Sequence, residues 1–382
     1  MNTVKIGIIG VGNMGSAHAR NILDGKVPGM ELTALCDHNP ERLKPFAKVK
    51  AFGTAEDLIA GDTVDAVLVA TPHYDHTTLG IATLEAGKHL LVEKPISVHK
   101  ADCERLITAH KDPKVIFAAM FNQRTDPHYT KLRSLIQDGE LGEIRRVVWT
   151  ITDWFRTFSY YASGGWRATW KGEGGGVLLN QCPHQLDLWQ WLFGMPQSLR
   201  AFCGIGRYHD IEVEDDVTCY MEYGNGCRGV FMTTTGEAPG TNRLEITGER
   251  GKVVVEPAEH GGIRFIRNEV AMTEWSKTTE GGFTKPSTWN VEIPVKGGNG
   301  PQHVGILKNF ANAILKGEEL IAPAAEGIRS VELANAMLYS GFTDATVELP
   351  LDGAAYEKKL KELIANSKFE KKVEEKLASD FK

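Results

Sequence analysis

The sequence has no surplus of basic charge. Over 382 residues, 43 lysines and arginines face 49 aspartates and glutamates, a net charge of −6, and no block of like charge forms a tail. That leaves no electrostatic footprint for nucleic acid. Cysteine is sparse: Cys36, Cys103, Cys182, Cys203, Cys219 and Cys227 form no Cys-x-x-Cys pair and fall far below disulfide-scaffold density. Reduced thiols and a cytoplasmic location are the expectation. No apolar run approaches the length of a membrane span, so no membrane association is expected. The first strand candidate starts at Val4, so no signal peptide is expected. Internal repeats and low-complexity linkers are also missing. A chain this long exceeds one comfortable core, so more than one domain is expected.

What is present begins at the N-terminus. Val4 to Ile9 is an apolar, β-branched run, followed by Gly10-Val11-Gly12-Asn13-Met14-Gly15 and a helical pattern to Leu23. A buried strand, a three-glycine turn and a helix form the dinucleotide-binding order. Gly10 permits the tight turn, Gly12 lets backbone approach a pyrophosphate, and Gly15 lets helix pack on strand. The helix N-terminus offers N–H groups and partial positive charge to phosphates. A second strand over 31–36 ends on Asp37, placed to receive the adenine ribose hydroxyls. Because Asp37 would repel a 2′-phosphate and His38-Asn39 brings no arginine, NAD is expected rather than NADP.

Strand and helix continue in alternation. A short helix over 53–59, a strand over 64–70 ending at Thr71-Pro72 with His76 beyond, a helix over 77–86, a strand His89–Val92 ending in Glu93-Lys94-Pro95, a helix over 97–110 and a strand over 115–120 predict a parallel sheet covered on both faces. Past Tyr129 the rhythm changes. A helix over 129–138, a strand over 144–151, a helix over 177–193 and strand candidates at 199–206, 216–223, 227–235, 243–247, 252–256 and 263–267 predict an α+β domain with a largely antiparallel open sheet. Helices are expected at 303–316 and 324–341. From Ala354 an amphipathic tail carries Tyr356, Leu360, Ile364, Phe369, Val373, Leu377 and Phe381 at helical spacing. The fold class is therefore α/β: a Rossmann doubly wound parallel sheet over 1–125, an α+β substrate-binding and oligomerisation domain over 126–351, and a helical tail over 352–382.

Two stretches carry candidate chemistry. Lys94, at a strand end of the nucleotide domain, could steady a developing alkoxide or help move its proton; the plainer alternative is a surface lysine at a strand exit. In Gly174-Gly175-Gly176…Asn180…His184…Asp187, a helix would set positions 180, 184 and 187 on one face, and imidazole suits general-base work near neutrality. The alternative is a satisfied core histidine. Cys182, His184 and Asp187 are all zinc-competent types, but positions 182 and 184 diverge on a helix, so no metal is expected. Trp154, Trp166 and Arg167 supply the flat apolar faces and hydrogen-bond donors that sugars require.

In their order, the Gly10–Gly15 turn, Asp37, Thr71-Pro72 with His76, Glu93-Lys94-Pro95, Asn122-Gln123-Arg124 with Pro127, Gly139-Glu140-Leu141-Gly142-Glu143-Ile144, Gly165-Trp166-Arg167 and Gly174-Gly175-Gly176 with His184 and Asp187 resemble the Gfo/Idh/MocA family of sugar and polyol oxidoreductases. The resemblance reaches to about residue 351. It implies an NAD-dependent dehydrogenase acting on a secondary hydroxyl of a sugar, glycoside or cyclic polyol, with Lys94 and His184 as catalytic residues and Asn180 as the third member of the catalytic set. It also implies cofactor contacts from Gly10, Gly12, Asn13, Met14, Gly15, Asp37, Thr71, Pro72, His76, Glu93 and Lys94. Substrate contacts are expected from Arg124, Trp154, Trp166, Arg167, Asn180, His184 and His303, and association into a homodimer or homotetramer. Asn180 stands where many relatives carry aspartate, and an amide cannot ionise. Two alternatives therefore stay open: a redox glycosidase that recycles its cofactor, and a sugar or nucleotide sensor of the same fold.

Overall fold

The computed structural model describes residues 2–256, 262–371 and 373. The N-terminal part runs β1 (Val4–Ile9), α1 (Asn13–Leu23), β2 (Met30–Cys36), β3 (Lys50–Phe52), α2 (Ala55–Ala60), β4 (Ala66–Val69), α3 (His73–Glu85), β5 (His89–Val92), α4 (Lys100–Ala109) and β6 (Phe117–Ala119). All its strands are parallel, in the order β3-β2-β1-β4-β5-β6. Ile6, Ile8, Val67, Leu68, Leu90 and Leu91 are fully enclosed, as strands covered on both faces must be. The order reverses between β1 and β4, which opens a crevice at their carboxyl ends.

The second part runs α5 (Pro127–Gln137), β7 (Ile144–Ile151), α6 (Phe158–Ala162), α7 (Pro183–Phe193), β8 (Ser198–Ile205), β9 (Glu214–Glu222), β10 (Arg228–Thr234), β11 (Asn242–Gly248), β12 (Gly251–Val255), β13 (Gly262–Asn268), α8 (Met272–Thr278), β14 (Thr288–Pro294), α9 (Gln302–Lys316), α10 (Gly327–Thr343), β15 (Val347–Glu348) and α11 (Gly353–Asn366). Its nine strands form one sheet, β14-β13-β12-β11-β7-β10-β9-β8-β15. The pairings are antiparallel except β7 with β10. One face packs on α7 and α10 through Trp149, Trp189, Phe231 and Met337. The other leaves Phe202 63% and Tyr220 42% exposed.

The first sheet ends with β6 and the second begins with β7, but the chain after β14 does not stay with the second core. Ile306, Leu307 and Phe310 of α9, with Ala322 and Val331, pack into the first core, and the Ala119 N–H donates to the Ala322 carbonyl at 3.0 Å. The chain thus returns to the nucleotide sheet before α10 completes the second core. In the tail, Tyr356 and Leu360 are buried as the spacing requires, but α11 stops at Asn366. Phe369 follows without helix and Val373 is exposed. Leu377 and Phe381 lie outside the described residues.

The other correction is local and decides the site. The helix expected from Val177 starts only at Pro183. Buried Glu214 takes the preceding amides: its carboxylate accepts from Gly176 N–H at 2.8 Å and Leu178 N–H at 3.0 Å, and its carbonyl accepts from Val177 N–H at 3.0 Å. Residues 177–182 are therefore a turn, and Pro183 occupies the first helical position it favours. Asn180 reaches the site from this turn, not from a helical face shared with His184 and Asp187.

Burial, reinforced by the neighbouring Glu173, lifts the Glu214 carboxyl to about 7 against the backbone N–H groups that favour its charge. A folded pKa above the unfolded one contributes stability that is complete at low pH and is lost as pH rises through about 7. Glu214→Gln cannot ionise. Its melting temperature relative to the parent should rise by several degrees between pH 5 and pH 8, on the order of 2 kcal/mol; a difference constant across that range would contradict the assignment.

Candidate active site

The glycine turn is built as the sequence requires. Gly10 has φ +89°, and a Cβ at Gly15 would overlap the Gly10 carbonyl oxygen. Above Gly12 there is open space, and no side chain caps the first turn of α1. The N–H groups beside the exposed Asn13 and Met14 are therefore free to receive phosphate, and this is the observation on which the residues fit a dinucleotide. Asp37 Oδ2 accepts from Val11 N–H at 2.7 Å and Oδ1 from Asn39 N–H at 2.8 Å, so its carboxylate is fixed beside the turn with lone pairs left for ribose hydroxyls. Arg42 approaches Asp37 at 3.5 Å, a cation just beyond the two residues weighed in the sequence. At the end of β4, Thr71 Oγ1 is buried without a partner, next to Pro72, which starts α3. His76 is turned inward instead: its two ring nitrogens sit 2.7 Å from the Pro95 carbonyl and 2.9 Å from the Thr71 carbonyl, clamping the two strand-end loops together.

Glu93 and Lys94 leave β5 in different directions. Glu93 is buried against His18, Oε1 to Nε2 2.7 Å, and receives the Lys94 N–H at 3.1 Å. Burial opposes its charge, but the His18 hydrogen bond and the proximity of His18, Lys94 and His303 hold its carboxyl at about 2. Lys94 Nζ crosses to the second part and donates to the Asn180 carbonyl at 2.9 Å. Burial lowers the lysine pKa, while Glu93 and Glu173 act in favour of its charge.

His184 stands in the first turn of α7, edge-on to Phe121 at 6.4 Å, with Nδ1 buried and unpartnered. Its pKa is held well below the ordinary value by burial first and then by Lys94, with His303 adding and Glu93 opposing. The ring is neutral at physiological pH. His303, at the start of α9, packs 5.5 Å from His18 and is likewise kept neutral by burial. The histidines of α1, α7 and α9 thus gather around the Glu93-Lys94 pair.

The wall is aromatic and cationic. Trp166 meets His73 edge-on at 5.5 Å, and Arg167 lies 4.9 Å from the Trp166 ring and 4.4 Å from Tyr160. Arg156 lies between Tyr160 at 5.0 Å and Trp154 at 5.7 Å. Trp154 Nε1, Arg167 Nε and Gln181 Oε1 are buried without partners.

Arg124 departs from its expected role. Its side chain is 1% exposed, its Nε and Nη2 bind Asp187 at 2.8 and 2.6 Å, and its Nη1 binds Glu326 at 2.6 Å. Fully engaged, it has no donor pointing to open space and joins α7 to the segment before α10. Asp187 is committed to the same pair, and the Cys182 sulfur turns to Thr233 Oγ1 at 3.0 Å. The three zinc-competent residues of this stretch therefore face three different neighbourhoods. Sequence reasoning missed His18, Glu173 and Tyr160. A histidine on the apolar face of α1 and a glutamate directly before three glycines were the only signals available.

Two family profiles match: an oxidoreductase-family NAD-binding Rossmann fold over residues 4–121, and a GFO/IDH/MocA C-terminal domain over 129–254. The chain is 27% identical over 267 residues to a myo-inositol 2-dehydrogenase of Thermotoga maritima, covering 66% of this chain and 75% of that one. It is 24% identical to the levoglucosan dehydrogenase of Pseudarthrobacter phenanthrenivorans, covering 92% and 99%. The WlbA dehydrogenase of Bordetella pertussis, solved with NADH and UDP-GlcNAcA, superposes with a TM-score of 0.75 at 26% identity, covering 92% of this chain and all of that one. With both domain profiles in register on a fold whose glycine turn fits a dinucleotide, the chain belongs to the Gfo/Idh/MocA family and is an NAD-binding oxidoreductase.

Proposed function

We propose that this protein oxidises a secondary hydroxyl of a sugar, glycoside or cyclic polyol, with Lys94 and His184 as its catalytic residues. The observation that supports the reading is their convergence: a buried ammonium anchored on Asn180, and within its field a neutral imidazole whose Nδ1 is unpartnered, next to the dinucleotide crevice. NAD, when bound, supplies the hydride acceptor. His184, kept neutral, takes the hydroxyl proton, and the Lys94 ammonium steadies the oxygen as its charge grows. Trp154 and Trp166 offer flat apolar faces to the ring, while Arg167 and His303 meet its hydroxyls. Inositol and levoglucosan, the substrates named for the relatives, head the candidates.

A panel of inositols, levoglucosan and hexoses with NAD, read as continuous NADH absorbance, should give steady turnover with at least one member; absence of net NADH from every member would contradict a dehydrogenase. With that substrate, Lys94→Ala and His184→Ala should each lower kcat at least about a hundredfold. NADH affinity should barely move, since the Gly10–Gly15 turn is built without either residue. An acid limb of kcat/KM should fall below the ordinary histidine range of about 6.5, because protonation disables the base and burial depresses its pKa. That limb should vanish in His184→Ala. A His184→Ala enzyme with near-normal turnover would remove this residue from the mechanism.

Association through the open face of the second sheet is part of the same reading. Phe202 and Tyr220, with Val230 and Met232 on the next strand, lie side by side across β8, β9 and β10 on that face. Such a patch suits a homodimer or homotetramer. Sedimentation should give a multiple of 42.0 kDa; a single monomeric species throughout the micromolar range would contradict it.

A further inference from the structure

Glu173 is a buried carboxylate behind the Lys94–Asn180 contact. It is 1% exposed, and its Oε2 accepts the Ala168 N–H at 2.6 Å. Its Oε1 accepts the side-chain amide of Asn180, the residue whose backbone carbonyl anchors Lys94. The far side of that amide is fixed too: Asn180 Oδ1 accepts from the Tyr160 hydroxyl at 3.4 Å and from Gln181 Nε2 at 3.3 Å. Tyr160 in turn receives Arg167 Nη1 at 2.5 Å.

An asparagine amide can sit either way round. Here Glu173 decides it, because a flipped amide would press its oxygen against a carboxylate that only accepts. These tethers, with the Asn180 N–H bonded to the Gly176 carbonyl at 2.9 Å, hold residue 180 in its turn, and its backbone carbonyl is the acceptor of Lys94 Nζ. Position and charge act together. Burial pushes the Glu173 pKa up, and Arg167 first, then the Ala168 N–H, the Asn180 amide and Lys371 act to keep it charged. Lys94 lies in its field, the neutral His73 has Nδ1 3.3 Å from the Glu173 carbonyl oxygen, and the neighbouring Glu214 carboxyl is itself lifted to about 7. A buried carboxylate is costly unless paired, and an amide would serve Ala168 N–H equally well. The charge is met first by Arg167, and it in turn supports the Lys94 ammonium together with Glu93.

We propose that Glu173 is a positioning residue that locks the Asn180 amide and so aims Lys94 at the substrate oxygen. This rests on Lys94 acting as proposed above.

The test exchanges the two groups. Glu173→Gln keeps an acceptor for Ala168 N–H but frees the Asn180 amide to flip, and should lower kcat at least about tenfold while KM moves less than about threefold. Asn180→Asp alone sets two buried carboxylates against each other and should also lose activity near neutral pH. The double variant E173Q/N180D restores one amide and one carboxylate in contact and should return kcat to within about threefold of the parent. A second readout needs no substrate: the 13C shift of the Lys94 ε-carbon in lysine-labelled protein, assigned with Lys94→Arg, followed against pH. In Glu173→Gln the Lys94 titration should move to lower pH, and in the double variant it should move back. The proposal is overturned if Glu173→Gln leaves both kcat and the titration unchanged. It is equally overturned if the double variant recovers neither, including when both variants have lost NADH binding through misfolding. A parent that reduces no NAD with the polyol panel would sink the dehydrogenase reading alone, and the Lys94 titration would then decide the role of Glu173.

Discussion

Lys94 is a cation removed from water, and the rest of the site is arranged around the consequences. An ammonium in low dielectric loses its charge unless carboxylates and carbonyls replace its hydration. Here the replacement comes from both halves of the molecule: the Glu93 carboxylate at the end of β5, the Asn180 carbonyl from the turn before α7, and the field of Glu173 behind it. The contact reaches from the nucleotide sheet to the second sheet. It requires residues 177–182 to be a turn whose carbonyl points outward, which a helix would not allow. Glu214 enforces that turn by taking the amides a longer helix would have used.

The same logic separates the arginines. Arg124 and Asp187 form a dry bidentate pair extended to Glu326, and leaving either partner alone would strand a buried charge. They tie α7 to the segment that returns from the first core, and so set the height at which His184 stands. Arg167, by contrast, lies between Tyr160 and Trp166 with one nitrogen unpartnered. A guanidinium held by aromatic faces keeps its direction.

Much of this was legible in the sequence, where local chemistry and long-range position coincide. The β1 turn, Asp37, the alternation of the first sheet and the β5 exit at Glu93-Lys94 follow from glycine sterics and apolar periodicity, which act within a few residues. What was not legible depends on partners far along the chain. The start of α7 at Pro183 is set by Glu214, the engagement of Arg124 by Asp187 and Glu326, and the return of α9 to the first core by Ala119 and Ala322. β14 carries a period-2 signal, Trp289, Val291 and Ile293 alternating with Asn290 and Glu292, that the strand reading did not take up, whereas the two residues of β15 carry no period. His18 could not be told from a core histidine until Glu93 was placed beside it.

The central claim is that His184 takes the hydroxyl proton and Lys94 steadies the oxygen of an alcohol whose carbinol hydrogen would pass, as hydride, to NAD. Its most direct test is isotopic. A substrate from the panel carrying deuterium on the oxidised carbon should yield NADH one mass unit heavier, one label per ketone formed. Unlabelled NADH, or a bond-cleaved product that has recovered the deuterium while no labelled NADH accumulates, would contradict it.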